Sequence, residues 1–128
     1  MRHDSKYKKH IISSSFIVSD KDIDHEKALS ICNILQAINS LNDETIVALF
    51  GTLDYNKILV KHFNLDIVGK AFADDTVTLY SYASRGDEGT LKVNITALRK
   101  DNHKETPIVN GSFVFNIGGN VDVHYSLS

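Results

Sequence analysis

A long run of apolar residues at helical spacing stands in the first third of the chain, between Asp24 and Leu41. Six of them recur every three or four residues and fall on one helix face: Ala28, Ile31, Cys32, Leu35, Ile38 and Leu41. Asp24 is a good N-cap, and the pair Asn42-Asp43 is a typical stop. The spacing predicts a helix over residues 24–41. Further apolar residues widen the apolar face of this helix. We therefore expect other parts of the chain to pack against it on several sides.

The second half of the chain alternates apolar and polar residues, as half-buried strands do. We predict antiparallel strands over residues 10–18, 65–73, 76–83, 90–98, 108–117 and 121–125. A hairpin loop at 84–89, a polar connection at 99–107 and a tight turn at 118–120 separate the later ones. Residues 44–63 fit either a second short helix or a helix followed by a strand. We predict a loose arm over 1–9 and one domain over 10–128.

Composition limits the class of protein. The chain has 128 residues, 42% of them hydrophobic, and a formal net charge of −2, so nucleic acid is an unfavourable partner. Cys32 is the single cysteine, so no intramolecular disulfide can form, and on the predicted helix face it is expected to be a buried structural thiol. The six histidines lack metal-ligand spacing, so we expect no metal site. We find no membrane span or signal peptide, and the cytoplasm is the expected location.

Three later segments carry a resemblance to a known family. The segment 67–77 includes Asp74-Asp75 before Thr76-Val77; Arg85 precedes Gly89-Thr90-Leu91; and 110–115 places a small residue before Phe-x-Phe. In this order they resemble the hotdog-fold acyl-CoA thioesterases. The resemblance implies an α+β hotdog fold, an antiparallel β-sheet wrapped around a long central α-helix.

The polar run DKDIDHE, over 20–26, resembles the catalytic motif of one thioesterase group, Asp-x-Asp followed by Gly-His-Val-Asn-Asn. The aspartates and the histidine are present, whereas the glycine and the asparagines are missing. The resemblance implies that Asp22, with Asp24 as the alternate and His25 beside them, serves catalysis. A carboxylate would attack the thioester or activate water, and helix N-terminal amides would polarise the carbonyl. Asn33 is an amide able to orient water or ligand.

The implied function is hydrolysis of acyl-CoA or acyl-carrier thioesters. Arg85, Gly89 and Thr90 would lie along the pantetheine or phosphate path, and coenzyme A would enter as part of the substrate, with no cofactor. A non-catalytic hotdog module that binds acyl thioesters or mediates assembly is the alternative, and a dehydratase using His25 with Glu26 is a third. The resemblance also implies a homodimer or tetramer with a shared site. The uncharged strand Thr76–Ala83 and the strand Thr90–Leu98 are the expected contact edges.

Overall fold

The computed structural model describes residues 12–51, 59–87 and 89–117. Within these ranges the strands are β1 (Ile12–Ile17), β2 (Leu59–Ile67), β3 (Thr76–Arg85), β4 (Thr90–Asp101) and β5 (Lys104–Asn116). A short 3-10 turn (Asp20–Asp22) and a helix, α1 (Ile31–Phe50), lie between β1 and β2. The predicted arm 1–9, the turn 118–120 and the strand 121–125 lie outside the described residues.

The strands form one antiparallel sheet in the order β1-β3-β4-β5-β2. Alternation sets its two faces: in β3 and β4 the buried apolar residues are Val77, Leu79, Ala83, Leu91, Val93, Ile95 and Ala97. These residues share one core with the helix, which packs against β1 and β3. The predicted α+β architecture, a sheet around a long helix, is confirmed.

The helix begins seven residues later than predicted, at Ile31. Asp24 caps a turn instead of the helix, because its Oδ1 accepts hydrogen bonds from the N–H groups of Glu26 and Ala28, at 2.8 and 3.2 Å. Lys27 has a positive φ of 65°, which a helix does not allow. The helix is capped by Ser30, whose side chain accepts from the Asn33 N–H. A serine at N-cap satisfies one of the helix's unpaired donors, as aspartate would.

The helix also continues past the predicted stop at Asn42-Asp43 and ends at Phe50. Gly51 follows in the left-handed conformation, with φ of 78°, and its N–H donates to the Val47 carbonyl at 2.7 Å. Glycine adopts this conformation without a steric penalty. The helix therefore ends before Gly51 and not at Asn42-Asp43.

The buried helix face is rotated relative to the prediction. Ile38 and Leu41 are buried as expected, and the face continues through Thr45 and Leu49. Ile31, Leu35 and Cys32, assigned to the core, are exposed. Cys32 is therefore not a buried structural thiol. The prediction failed because it included a turn that is not helical, which shifted the arc of apolar positions.

Several strand limits also differ from the prediction. β2 runs over 59–67 and not 65–73, so of the two alternatives for 44–63 the helix followed by a strand is correct. The polar connection at 99–107 is mostly strand: β4 and β5 meet at a tight turn where Asn102 has a positive φ of 52°. Asparagine tolerates this conformation well enough to close a hairpin. The strands Thr76–Ala83 and Thr90–Leu98, expected at the edges, lie in the centre of the sheet.

None of the described helical residues forms a segment long and apolar enough to cross a membrane.

Replacing a fully buried helix residue should test the packing of α1 on the sheet. Leu41 is 0% exposed, so Leu41→Ala should lower the free energy of unfolding by about 2–5 kcal/mol, because a cavity adds to the lost burial. Val47, on the same helix but 43% exposed, is the control, and Val47→Ala should change it by less than about 1 kcal/mol. Urea denaturation measures both. Equal losses would contradict this packing.

Candidate active site

The side chain of Asp22 is held by Ser19 at the end of the 3-10 turn. Its Oδ2 accepts hydrogen bonds from the Ser19 hydroxyl at 2.8 Å and from the Ser19 N–H at 3.1 Å. These bonds favour the charged carboxylate and hold the pKa of Asp22 below its ordinary value. Asp22 is therefore a fixed, ionised carboxylate at neutral pH.

The main chain of Asp22 is tied to the first turn of α1. Its carbonyl accepts from the Ser30 N–H at 2.9 Å and from the Asn33 side-chain amide at 3.1 Å. The same Asn33 amide also donates to the Ser30 hydroxyl at 2.9 Å. The structure thus brings Asp22 and Asn33 together, and the contact that Asn33 makes is with the backbone of the aspartate.

Asp24 and His25 lie in the turn that precedes the helix. The amide groups of Ala28 and Glu26 bind the Asp24 carboxylate and hold its pKa below the ordinary value. His25 is exposed in the same turn. Glu26 forms an exposed ion pair with Lys70 at 2.9 Å, and this hydrogen bond lowers the pKa of Glu26 and raises that of Lys70. The pair joins the turn to the loop after β2, although an exposed pair of this kind adds little stability.

The start of α1 offers backbone donors. The first N–H groups of any α-helix have no acceptor inside the helix. In α1 the Ser30 N–H donates to Asp22 and the Asn33 N–H to Ser30. The remaining first-turn N–H groups belong to Ile31 and Cys32, whose side chains are exposed. Donors of this kind can stabilise a developing oxyanion.

Arg85, Gly89 and Thr90 come together at the turn between β3 and β4. The Thr90 hydroxyl and N–H both donate to the Asp87 carbonyl, at 2.6 and 2.9 Å, and Thr90 is 8% exposed. Gly89 has a positive φ of 68° and its carbonyl accepts from the Ile117 N–H. Arg85 is exposed at the end of β3. Thr90 and Gly89 shape the turn, and Arg85 projects a cation beside it.

One chain does not bring the two groups of predicted site residues together. Ile17, which leads into the Asp22 turn, pairs with Thr76 at the first residue of β3, whereas Arg85 is its last residue. A ten-residue strand separates its ends by about 30 Å. The Asp22 turn and the Arg85 turn therefore lie at opposite ends of the sheet.

Several depressions border the sheet in the described part of the chain. A small one of about 300 Å³ lies beside the β3–β4 turn and includes Lys61, Thr90 and Lys92 in its wall. A larger cavity of about 660 Å³ lies between α1, β2 and β5. Its wall is mostly apolar, and β2 and β5 contribute the rings of Phe63 and Phe113, which stack at 5.6 Å.

Asn42 lies in the wall of the larger cavity and was missed as a functional candidate. It is 6% exposed, and its Oδ1 has no hydrogen-bond partner among the described residues. The sequence did contain a signal, since Asn42 stands four residues after Ile38 and four before Ile46, both of them buried. Reading Asn42 as a helix stop concealed it.

No protein-family profile and no curated protein sequence matches this chain. Solved structures do. The 4-hydroxybenzoyl-CoA thioesterase of a Pseudomonas species aligns over 89% of this chain and 91% of its own, with 10% identity and a TM-score of 0.71. The acyl-CoA hydrolase of Staphylococcus aureus, in complex with butyryl-CoA and coenzyme A, aligns over 95% and 74%, with 11% identity and a TM-score of 0.75. A hexameric thioesterase of Yersinia pestis aligns over 88% and 93%, with 8% identity and a TM-score of 0.71.

These similarities, together with the helix and the strand order, identify the fold. The chain has the hotdog fold, as its sequence motifs predicted, and its structure is similar to those of hotdog-fold thioesterases. Asp74, in the segment that carries part of the resemblance, has a positive φ of 74°, a conformation that glycine adopts more readily than aspartate. The neighbouring main chain closes this turn by pairing Val18 with Asp74 and Asp75.

Removing the Ser19 hydroxyl should change the titration of Asp22 alone. Ser19→Ala deletes the side-chain hydrogen bond that contributes most to lowering the pKa of Asp22, so that pKa should rise towards its ordinary value. Asp24 is the internal control, since its donors are the amides of Ala28 and Glu26. Carboxyl-carbon NMR titration of both residues measures the change. If the pKa of Asp22 did not change, or if the pKa of Asp24 rose by a similar amount, Ser19 would not be the cause of the lowered pKa of Asp22.

Proposed function

We propose that the protein is an acyl thioesterase that hydrolyses acyl-CoA or acyl-carrier thioesters. The observation that carries the proposal is the ionised Asp22, held by Ser19 and joined to the first turn of a hotdog helix. The similar structures include enzymes that act on CoA thioesters, which supports the class of substrate. The proposal involves no metal or redox cofactor, and coenzyme A takes part as the leaving group.

In this proposal the thioester carbonyl lies beside Asp22 with its oxygen towards the N–H groups of Ile31 and Cys32. The Asp22 carboxylate attacks the carbonyl carbon or takes a proton from an attacking water. Negative charge then develops on the carbonyl oxygen, and the helix amides stabilise it. The carbon–sulfur bond breaks, and the thiolate leaves and takes up a proton. On the direct route the acyl group is then joined to Asp22 as an anhydride, and water hydrolyses this bond, which restores the carboxylate and releases the acid. On the water route the attacking water itself supplies the hydroxyl of the acid.

The lowered pKa of Asp22 favours direct attack over proton abstraction. A general base works best when its pKa lies near the working pH, and Asp22 is shifted in the other direction. A nucleophilic carboxylate needs only to be ionised, and the hydrogen bonds from Ser19 favour that form. His25 and Asp24, in the exposed turn nearby, are the further candidates for contacts with the thioester.

Coenzyme A phosphates would bind near Arg85. Arg85 ends β3 just before the turn that includes Gly89 and Thr90. Lys61 and Lys92 border the neighbouring depression. Arginine and lysine are the usual partners of phosphate groups. Since about 30 Å of strand separate this turn from Asp22, the two parts would have to come from different chains.

We further propose that the protein is a homodimer whose copies pair through β2. Within the described residues β2 pairs with β5 along one edge and with no strand along the other. Its exposed apolar residues include Leu59, Val60, Phe63 and Ile67. Antiparallel pairing of two β2 strands about a twofold axis reverses the direction of the partner's sheet. The β3–β4 turn of one copy would then lie at the same end of the joined sheet as Asp22 of the other.

Replacing Asp22 and Asp24 by asparagine, one at a time, should distinguish a role in catalysis from a role in forming the turn. Asp22→Asn should lower acyl-CoA turnover by about a hundredfold or more, because an amide is neither ionised nor basic. Asp24→Asn should retain most activity and cost about 1 kcal/mol or less, since asparagine still accepts the turn hydrogen bonds. Thiol release from a panel of acyl-CoAs and thermal melting measure the two effects.

Binding of acyl-CoA by the wild-type protein without hydrolysis would contradict the enzyme proposal and favour the non-catalytic binding module. The loss of the family's glycine and asparagines is the observation that favours this alternative.

Two inactive variants should restore activity when they share a dimer. Asp22→Asn and Arg85→Ala, co-expressed with different affinity tags and purified through both, should form dimers in which one shared site keeps both residues. Such dimers should hydrolyse acyl-CoA faster than either variant alone. The control is the Asp22→Asn variant co-expressed with itself under the same two tags, because such dimers contain no intact site. A monomer mass in light scattering at micromolar concentration, or no recovery in mixed dimers, would contradict the shared site.

A further inference from the structure

The chain between β2 and β3 crosses the end of the sheet that carries the Asp22 turn. In the strand order β5 and β4 lie between β2 and β3, so the crossing segment, residues 68–75, passes the ends of both. Its first residues donate two hydrogen bonds to the Ile108 carbonyl of β5, at 2.8 and 3.2 Å. Its last residues pair with Val18, which follows β1. Both ends of the crossing segment are therefore held by main-chain hydrogen bonds.

The side chain of Arg99 holds the middle of the crossing segment. Its Nη1 donates to the Lys70 carbonyl at 3.0 Å, where the described residues show no main-chain hydrogen bond from the segment to a strand. A hydrogen bond from a guanidinium is stronger than one between neutral groups, and the planar guanidinium gives it a fixed direction. Arg99 belongs to β4, the central strand of the sheet. This bond therefore fixes the Lys70 peptide against a well-held strand.

Two further hydrogen bonds lead from the Lys70 peptide to the candidate site. The next carbonyl along the segment, that of Ala71, accepts from the Leu29 N–H at 2.8 Å. The N–H that follows Leu29, that of Ser30, donates to the Asp22 carbonyl at 2.9 Å. Because peptide units are planar and these bonds join neighbouring residues, a shift of Lys70 moves both the Asp22 turn and the start of α1.

We propose that Arg99 is a positioning residue, which fixes the Asp22 turn and the first turn of α1 against the sheet. Its effect on hydrolysis rests on the proposed function, because Arg99 acts only through the Asp22 carboxylate and the helix amides. A reacting group misplaced by about 1 Å can lower a rate about a hundredfold. The coenzyme A phosphates are proposed to bind at a separate turn, near Arg85. Loss of the Arg99 bond should therefore lower kcat more than it changes KM.

The crossing segment has a second anchor that should keep the protein folded without this bond. Ala71 is 1% exposed and packs in the hydrophobic core. Apolar burial holds the segment near the sheet, but it lacks the direction that a hydrogen bond gives. Removing the Arg99 donor should therefore loosen the segment and its neighbours and leave the rest of the sheet intact.

Hydrogen exchange measured by NMR tests the link to the site without reference to activity. Arg99→Met removes the donor and keeps a long side chain, and Lys100→Met, at the exposed next position of β4, is the matched control. In Arg99→Met the N–H groups of Leu29 and Ser30 should exchange about tenfold faster, as the loss of one hydrogen bond predicts. The N–H of Val93, in the middle of β4, should keep its protection. In Lys100→Met all three should be unchanged.

Steady-state kinetics with an acyl-CoA test the effect on the reaction. In Arg99→Met kcat should fall about tenfold or more, whereas KM should stay within about threefold. Arg99→Lys keeps a charged donor and should recover part of the lost kcat. Lys100→Met should retain both constants.

Unchanged exchange at Leu29 and Ser30 in Arg99→Met would overturn the proposal. An equal loss of protection at Val93 would also overturn it, because Arg99 would then serve general stability. A raised KM with unchanged kcat would do the same, because Arg99 would then bind the substrate. Faster exchange confined to Leu29 and Ser30, in a protein that hydrolyses no acyl-CoA, would support the positioning by Arg99 and count against the proposed function.

Discussion

The way the chain enters α1 determines where every candidate catalytic group lies. Ser30 caps the helix through the Asn33 N–H, and both residues donate to the Asp22 carbonyl. These few bonds hold the Asp22 turn against the helix start, next to the amides that a thioester carbonyl would need. The rest of the segment fits around this contact: Leu29 N–H donates to the Ala71 carbonyl, and Ala28 bridges to Phe72. The chain between turn and helix is therefore extended, and the helix cannot begin earlier.

The sequence predicted the sheet better than the helix, for a physical reason. Alternation of apolar and polar residues with period two indicates a half-buried β-strand. The prediction therefore placed β3, β4 and most of β5 at nearly their correct limits. Helix limits depend on which side chain caps the chain, and Asp24 caps a turn with the same chemistry that would cap a helix. Asn42-Asp43 resembled a stop, yet the apolar period continues through Leu49 to Gly51.

The sequence selects candidate residues for the site and does not show how they are arranged. The motif resemblance selected Asp22 and Asn33, and the fold brings them into contact. Their separation from Arg85 follows from the pairing of β1 with β3, which local sequence patterns do not encode. Asn42 was missed because an amide inside a predicted boundary has no periodic signal of its own. Its meaning depends on β2 and β5, which complete the cavity wall.

β2 is an edge strand whose outer side has no strand partner among the residues that the structure describes. Phe63 stacks on Phe113 across the ladder, yet Phe63 is 59% exposed and Phe113 is 6% exposed. On the same side of the sheet, the side chain is therefore buried in β5 and exposed to solvent in the neighbouring strand β2. Hydrophobic burial favours covering that surface, and the unpaired backbone edge beside it favours another strand. A strand added there by a second copy runs antiparallel by symmetry, and that direction places an Asp22 turn and an Arg85 turn at one end of the joined sheet. In the proposed dimer, the open edge of β2 and the distance between Asp22 and Arg85 therefore lead to the same arrangement.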